Sequence, residues 1–347
     1  MAKHHEAKDA AKPITRIASP TSDIKWILAM LLSLVVPAFL TLSTIRHHPG
    51  SARPDSSPHG YTVSLLLFLI PVVNMYWWRY LHPGGPHHRR ALFWASGTIA
   101  ALGFLLDFAF GYSFFVYPNE LATLGIRLPA WSFADGRWIP NYLPIEEFGF
   151  YIFGAWFVLG VYVWADAMWL KDYHPDDFAA LAHRKAKLID VHWRSVGLVI
   201  ALIALGIVAK KLGSSPEGFP GYYVFIMCIG FAPTVLLLNG LKDFVNWRAF
   251  AFAYGNLLLI SLMWEATLAV PYGWWNYKED QMLGIVVMAW SNLPIEAVLL
   301  WMVIAWDCII AFELFRVVLH MDKPIAEAML GIRAGKSMPA REPASSA

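Results

Sequence analysis

Apolar stretches of near-constant length alternate with short polar, charge-bearing segments along most of this chain. Eight apolar runs occupy residues 24–45, 61–80, 91–115, 143–170, 195–209, 221–239, 247–270 and 293–316. Each approaches the roughly 20 residues a helix needs to cross a bilayer. The pattern predicts an all-α integral membrane protein of about eight transmembrane helices. Polar segments 1–23 and 317–347 read as disordered tails, and 171–194 as a loop between helices four and five. The first run is too long for the core of a cleavable signal and lacks a small-residue cleavage site.

Composition sharpens the picture. Hydrophobic residues make up 58% of the chain and charged residues 15%, against about 25% charged in soluble domains. A net charge of +2 gives no electrostatic footprint for nucleic acid. The two cysteines, Cys228 and Cys308, lie far apart in apolar runs and define neither a disulfide framework nor a metal site. Positive charge gathers in alternate connections. Arg89, Arg90, Arg184, Lys185, Lys187, Arg194, Lys242, Arg248 and Lys323 fall on the side of the two tails, and fewer basic residues fall opposite. The positive-inside rule then puts both termini in the cytosol. Aromatic clusters at run ends, such as Tyr76-Trp77-Trp78 and Trp274-Trp275, suit interfacial belts.

A second regularity has a much longer period. Helix three carries Arg90, Gly97 and Asp107; helix seven carries Arg248, Gly255 and Glu265, each 158 residues later. Helices four and eight open with Leu143-Pro-Ile-Glu146-Glu147 and Leu293-Pro-Ile-Glu296-Ala297. Leu124-Gly-Ile126 precedes the first and Leu283-Gly-Ile285 the second. The chain therefore reads as two four-helix repeats, 24–170 and 195–316. Because four is even, the repeats run parallel, about an axis along the membrane normal, with a site between them.

The repeat gathers isolated acids into a constellation. Asp107 and Glu265 sit about two turns from the outer ends of helices three and seven. Glu146, Glu147 and Glu296 begin helices four and eight, where Pro144 suits a first helical turn and the helix dipole favours anions. Carboxyl groups in hydrocarbon are costly and normally face a bundle interior. Excluded from water and beside one another, some hold a proton while others accept one, which is the equipment for general acid–base chemistry on an apolar molecule. Tyr112, Trp131, Trp274, Trp275 and Tyr277 lie close in sequence and could face a cation; Asn74 and Asn256 could join helices by hydrogen bonds. Asp307 and Glu313, without counterparts in the first repeat, read as packing or oligomer contacts, and Asp166 as interfacial. His174, His183 and His192 lack metal-binding spacing.

These motifs resemble the integral-membrane lycopene cyclases of bacteria and archaea, heterodimeric or fused, and the related domains of bifunctional fungal enzymes. Members carry paired domains, each with Pro-x-Glu-Glu at a helix start after an aromatic segment and a Leu-Gly-Ile-like stretch. Pro144-Ile-Glu146-Glu147 matches in full; Ala297 replaces the second acid after Pro294-Ile-Glu296; Trp275-Asn-Tyr277 matches the aromatic segment. The resemblance covers roughly residues 60–316. It implies a carotenoid cyclase with Asp107, Glu146, Glu147, Glu265 and Glu296 catalytic and the aromatic residues, with Asn74, binding substrate. A carboxylic acid protonates a terminal C=C of a linear polyene, an internal double bond closes a six-membered ring on the tertiary cation, and a carboxylate removes a proton. This is an isomerisation needing no redox cofactor, and the chain carries no G-x-G-x-x-G, P-loop or cysteine cluster. No metal or cofactor is expected. The expected partners are a polyene in lipid, other carotenoid enzymes or a second copy, in a bacterial inner membrane. The scaffold also fits a carotenoid hydratase or a terpene cyclase, and parallel repeats with buried acids fit a transporter or lipid-binding protein. A prenyltransferase is disfavoured, since its aspartate-rich fragments, at Asp176-Asp177 and Asp243, lie on the cytosolic side.

Overall fold

The computed structural model describes residues 20–45, 57–77, 85–134, 136–167, 170–174, 177–213 and 217–332. Residues 1–19 and 333–347 of the two tails, and with them Trp78 and Asp176, lie outside the described residues. The chain is mostly helical. In order come α1 (Pro20–Ser43), α2 (Gly60–Ser64), α3 (Leu66–Trp77), α4 (Gly85–Phe114), β1 (Phe115–Val116), β2 (Arg127–Ala134), β3 (Arg137–Pro144) and α5 (Glu146–Ala167). Then follow α6 (Phe178–Arg184), α7 (Trp193–Leu212), α8 (Gly221–Leu241), α9 (Trp247–Trp264), β4 (Asn276–Tyr277), β5 (Val286–Val287), β6 (Leu293–Pro294), α10 (Ile295–Met321) and α11 (Ile325–Leu330).

Among the described residues, six helices, α4, α5, α7, α8, α9 with its extension, and α10, are long and apolar enough to cross a membrane; Leu31–Ser43 and Gly60–Met75 are shorter apolar helices. Local chemistry sets several ends. The Asn246 side chain accepts from Arg248 N and Ala249 N, both at 3.2 Å, and so caps α9. Pro294, with φ −62° and ψ 144°, precedes α10 as an extended residue. Pro144 likewise ends a strand, where the sequence suggested a first helical turn. Glu146 and Glu147 do occupy the first turn of α5.

α10 is the hub, packed on α4, α5, α8 and α9. α5 packs on α3, α4 and α9, while α1 lies on α3 and α7 on α8. Small residues permit the closest approaches: a Cβ on Gly230 of α8 would lie 2.2 Å from Val303 of α10.

Short strands depart from the all-helical expectation, and one segment departs from the expected tail. Arg127–Ala134 and Arg137–Pro144 pair as an antiparallel hairpin of two eight-residue strands, with Trp131 opposite Pro140 and Phe133 opposite Trp138. Short ladders join β1 to β4 and β5 to β6. The segment 317–332, expected as part of a polar tail, completes α10 and forms α11. Leu188 N and Ile189 N donate to Ala328 O and Met329 O at 3.0 and 2.9 Å, and Ala328 is fully buried. Burial of Phe178, Leu188, Val317 and Met321 in one cluster holds this end together.

Beside that cluster lies a buried polar network, in which Glu313 takes the packing role and not the oligomer role. Glu313 is fully buried and accepts from Tyr162 Oη at 2.7 Å, so it is no oligomer contact. Asp166, in the last turn of α5, is buried and accepts from Asn246 Nδ2 at 2.7 Å, with His174 Nδ1 at 3.1 Å. Arg316 lies 3.3 Å from Glu313 and 3.5 Å from Asp166, and its guanidinium covers the Phe178 ring at 4.2 Å. Removing one member of a buried charge cluster strands the others. Arg316→Met should therefore destabilise the protein by about 3–5 kcal/mol, read as earlier thermal unfolding in detergent.

Candidate active site

Two matched turns place the first acids. Leu124 N donates to Glu146 Oε1 at 2.7 Å, and Leu283 N donates to Glu296 Oε1 at 2.5 Å. Ile145 N donates to Ile126 O, and Ile295 N to Ile285 O, both at 3.0 Å. Between them Gly125 and Gly284 adopt φ +74° and +83°, conformations that suit glycine. The Leu-Gly-Ile and Pro-Ile-Glu motifs are thus the two sides of one turn. Glu146 and Glu296 hold that turn with one oxygen each, while the other oxygen of each is buried without a hydrogen-bond partner among the described residues. Glu146 also accepts from Thr62 Oγ1 at 2.5 Å. Glu296 has the fully buried Lys210 as an electrostatic neighbour.

Glu147 faces differently. Buried at the start of α5, it accepts from Tyr61 Oη at 2.8 Å and lies within electrostatic reach of Asp107. Asp107 Oδ2 is buried without a hydrogen-bond partner among the described residues. The Asp107 carboxyl folds over Gly111, where a Cβ would come within 2.5 Å of Oδ1. Gly111→Ala should consequently displace Asp107 and lower activity several-fold without removing a reacting group. Turnover compared with retained thermal stability would read this.

Glu265 stands where α9 opens into one π turn, Glu265–Ala269, with Val270 N bonded to Glu265 O at 3.1 Å. Such turns are frequent at functional sites. Its carboxyl accepts from Trp275 Nε1 at 3.2 Å, from Trp301 Nε1 at 2.8 Å and from Tyr277 Oη. Burial, and then the Glu265 charge, push the Tyr277 phenol well above its usual range, so it stays a neutral donor. Tyr117 is raised in the same way by burial and then by Asp107 and Glu147.

An aromatic cluster joins the two acid groups. Trp264 is its centre, with ring centroids 6.1 Å from Tyr61, 5.4 Å from Phe68, 5.9 Å from Phe150, 5.0 Å from Trp275 and 6.2 Å from Trp301. Tyr61 also stacks on Trp274 at 6.0 Å and approaches Trp275 at 5.2 Å. Tyr222, at the start of α8, lies within electrostatic reach of Asp107, Glu147, Glu265 and Glu296. These rings pack against one another between the acids, so a ligand placed there must displace side chains. A cleft of about 90 Å³, lined in part by Tyr112, Tyr117, Arg127 and Tyr142, opens beside them, and a wider depression of about 390 Å³ lies over Asn119 and Tyr272.

Among the residues singled out in the sequence, Asp107, Glu146, Glu147, Glu265, Glu296, Trp275 and Tyr277 meet here. Trp274 is fully buried, bonded through Nε1 to Ser57 Oγ at 2.7 Å. Tyr112 sits at the cleft, donating to Tyr142 O at 3.0 Å. Trp131 is 54% exposed on the hairpin and does not join them. Asn74 lies thirteen residues beyond Tyr61, roughly 20 Å along the helix axis, away from the acids.

Tyr61, Thr62, Tyr222, Trp264 and Trp301 were not anticipated. For two of them a sequence signal exists: Gly60-Tyr61-Thr62-Val63 and Gly221-Tyr222-Tyr223-Val224 open α2 and α8 alike. Comparison of the chain with known protein families, curated proteins and solved structures finds no match.

Proposed function

We propose that this protein is a carotenoid cyclase of the membrane lycopene cyclase type, built from two parallel four-helix repeats spanning the membrane eight times. The repeat reading is supported by packing. The pairs α1–α3, α3–α5, α4–α5 and α5–α9 have as counterparts α7–α8, α8–α10, α9–α10 and α10–α4, with α5 on α10 at the centre. The matched turns around Glu146 and Glu296 support it equally.

One observation carries the functional reading. Tyr61 bonds to Glu147 and touches Trp264 and Trp275, and Trp275 bonds to Glu265. A carboxyl pair and a separate carboxyl group are thereby linked through one aromatic wall. Asp107 and Glu147 are near one another and out of water, where two charges are costly, so the pair has reason to hold one proton between them. Glu265, surrounded by donors on both oxygens, is equipped as an acceptor. In the proposed reaction the Asp107–Glu147 pair gives a proton to the terminal C=C of the polyene. Aromatic faces stabilise the tertiary cation, an internal double bond attacks it, and the proton lost after ring closure goes to a carboxylate, Glu265 being the best placed. Atoms balance without an external reductant. Glu146 and Glu296 serve as positioning residues that fix the turns.

Expression in cells that accumulate lycopene tests the reading. Products with closed rings and unchanged mass are expected. A hydroxylated, ring-free product would point to a hydratase on the same scaffold, and unaltered lycopene would overturn the assignment.

A further inference from the structure

The hairpin of β2 and β3 has two unlike faces. Ala130, Ser132, Asn141 and Leu143 are buried. This face is tied to the end of α4: Ser132 Oγ donates to Phe108 O at 2.9 Å, Ser113 Oγ to Phe133 O, and Tyr112 Oη to Tyr142 O at 3.0 Å. The other face carries Trp131, Phe133, Trp138 and Tyr142, exposed by 54%, 40%, 54% and 58%. An apolar aromatic surface of this kind, left in water, is an association hazard.

Depth identifies what covers it. The membrane-length part of α4, His87–Phe114, has 28 residues and is about 42 Å long at 1.5 Å per residue. That length matches a bilayer of about 40–45 Å including both headgroup zones. The hairpin is bonded to α4 at residues 108, 112 and 113, within its last two turns. It therefore stands at the headgroup zone, beside the same helix that exposes Phe93, Leu102 and Leu105 lower down. Trp and Tyr favour that zone because each has an apolar body and a polar edge. Arg137, at the end of β3 and exposed, can meet phosphates. A protein partner adding a strand is disfavoured, since Pro129 and Pro140 remove donors from the strands.

We propose that the 127–144 hairpin is seated in the phospholipid headgroup zone of the leaflet on the acid-bearing side, with its aromatic face turned into lipid. Arg127, Tyr142 and Pro144 of the hairpin line the cleft at Tyr112.

Nitroxide labels on the full chain test the seat. The exposed Cys228 is first replaced (Cys228→Ser), leaving the buried Cys308. Phe133→Cys and Trp138→Cys are labelled and the protein is placed in phosphatidylcholine–phosphatidylglycerol vesicles. Collision with oxygen relative to a water-soluble nickel chelate should be several-fold higher at both positions than at a label on exposed Glu217. A ratio equal to that at Glu217 would overturn the proposal. So would protection from both reagents, which would mean that protein covers the face. If either variant fails to insert, Trp131→Cys on the same face gives the same readout.

Discussion

Glu147→Gln is expected to lower ring formation from lycopene by at least about 100-fold, the lower range for loss of a positioned general acid, while the protein still inserts and unfolds at its normal temperature. The amide keeps the volume of the carboxyl group, and its oxygen can still accept from Tyr61, so folding loses little. What disappears is the proton. Asp107, left beside a neutral amide, no longer shares one across the pair. Asp107→Asn should fall in the same direction, and further than Asp307→Asn, whose residue has no counterpart acid in the first repeat. Product yield in lycopene-accumulating cells, corrected for protein in the membrane, reads all three. Full activity in Glu147→Gln would remove the proton source from the mechanism.

Glu265→Gln should be as damaging to activity but differ in stability. Both carboxyl oxygens of Glu265 face donors, and an indole N–H cannot become an acceptor. The Gln amide must turn its own NH2 toward Trp301 or toward Trp275 and Tyr277. One buried donor then goes unsatisfied, at a cost of about 1–3 kcal/mol. Loss of activity accompanied by earlier thermal unfolding is therefore expected for Glu265→Gln, against loss of activity alone for Glu147→Gln. Equal stabilities would mean that Glu265 is not held as an acceptor.

The helices and the acids were legible in the sequence for different reasons. Apolar length marks a helix wherever it lies, so runs such as 221–239 and 247–270 coincide closely with Gly221–Leu241 and Trp247–Trp264. Glu146 and Glu296 were visible because the same turn is written twice. The hairpin was hidden because Pro129 and Pro140 fall in a connection between apolar runs and Pro144 read as a helix start, although Trp131, Phe133, Trp138 and Tyr142 alternate with smaller residues as a strand face requires. The aromatic wall was hidden more deeply. In lipid both the inner and outer faces of a helix are apolar, so periodicity does not distinguish Trp264, buried at the centre, from exposed Trp94. Contacts such as Trp274 with Ser57 join residues more than two hundred positions apart and leave no local trace. The His174–Asp166–Arg316 network was missed for the same reason.

In the proposed reaction, carboxyl groups on either side of one aromatic wall add a proton to a polyene and take one back. Cyclisation of lycopene by the purified, lipid-reconstituted protein in D2O addresses it directly by mass spectrometry. The account predicts one deuterium incorporated for each ring closed and no other change in mass. Rings formed without deuterium, or with a net gain or loss of hydrogen, would contradict it.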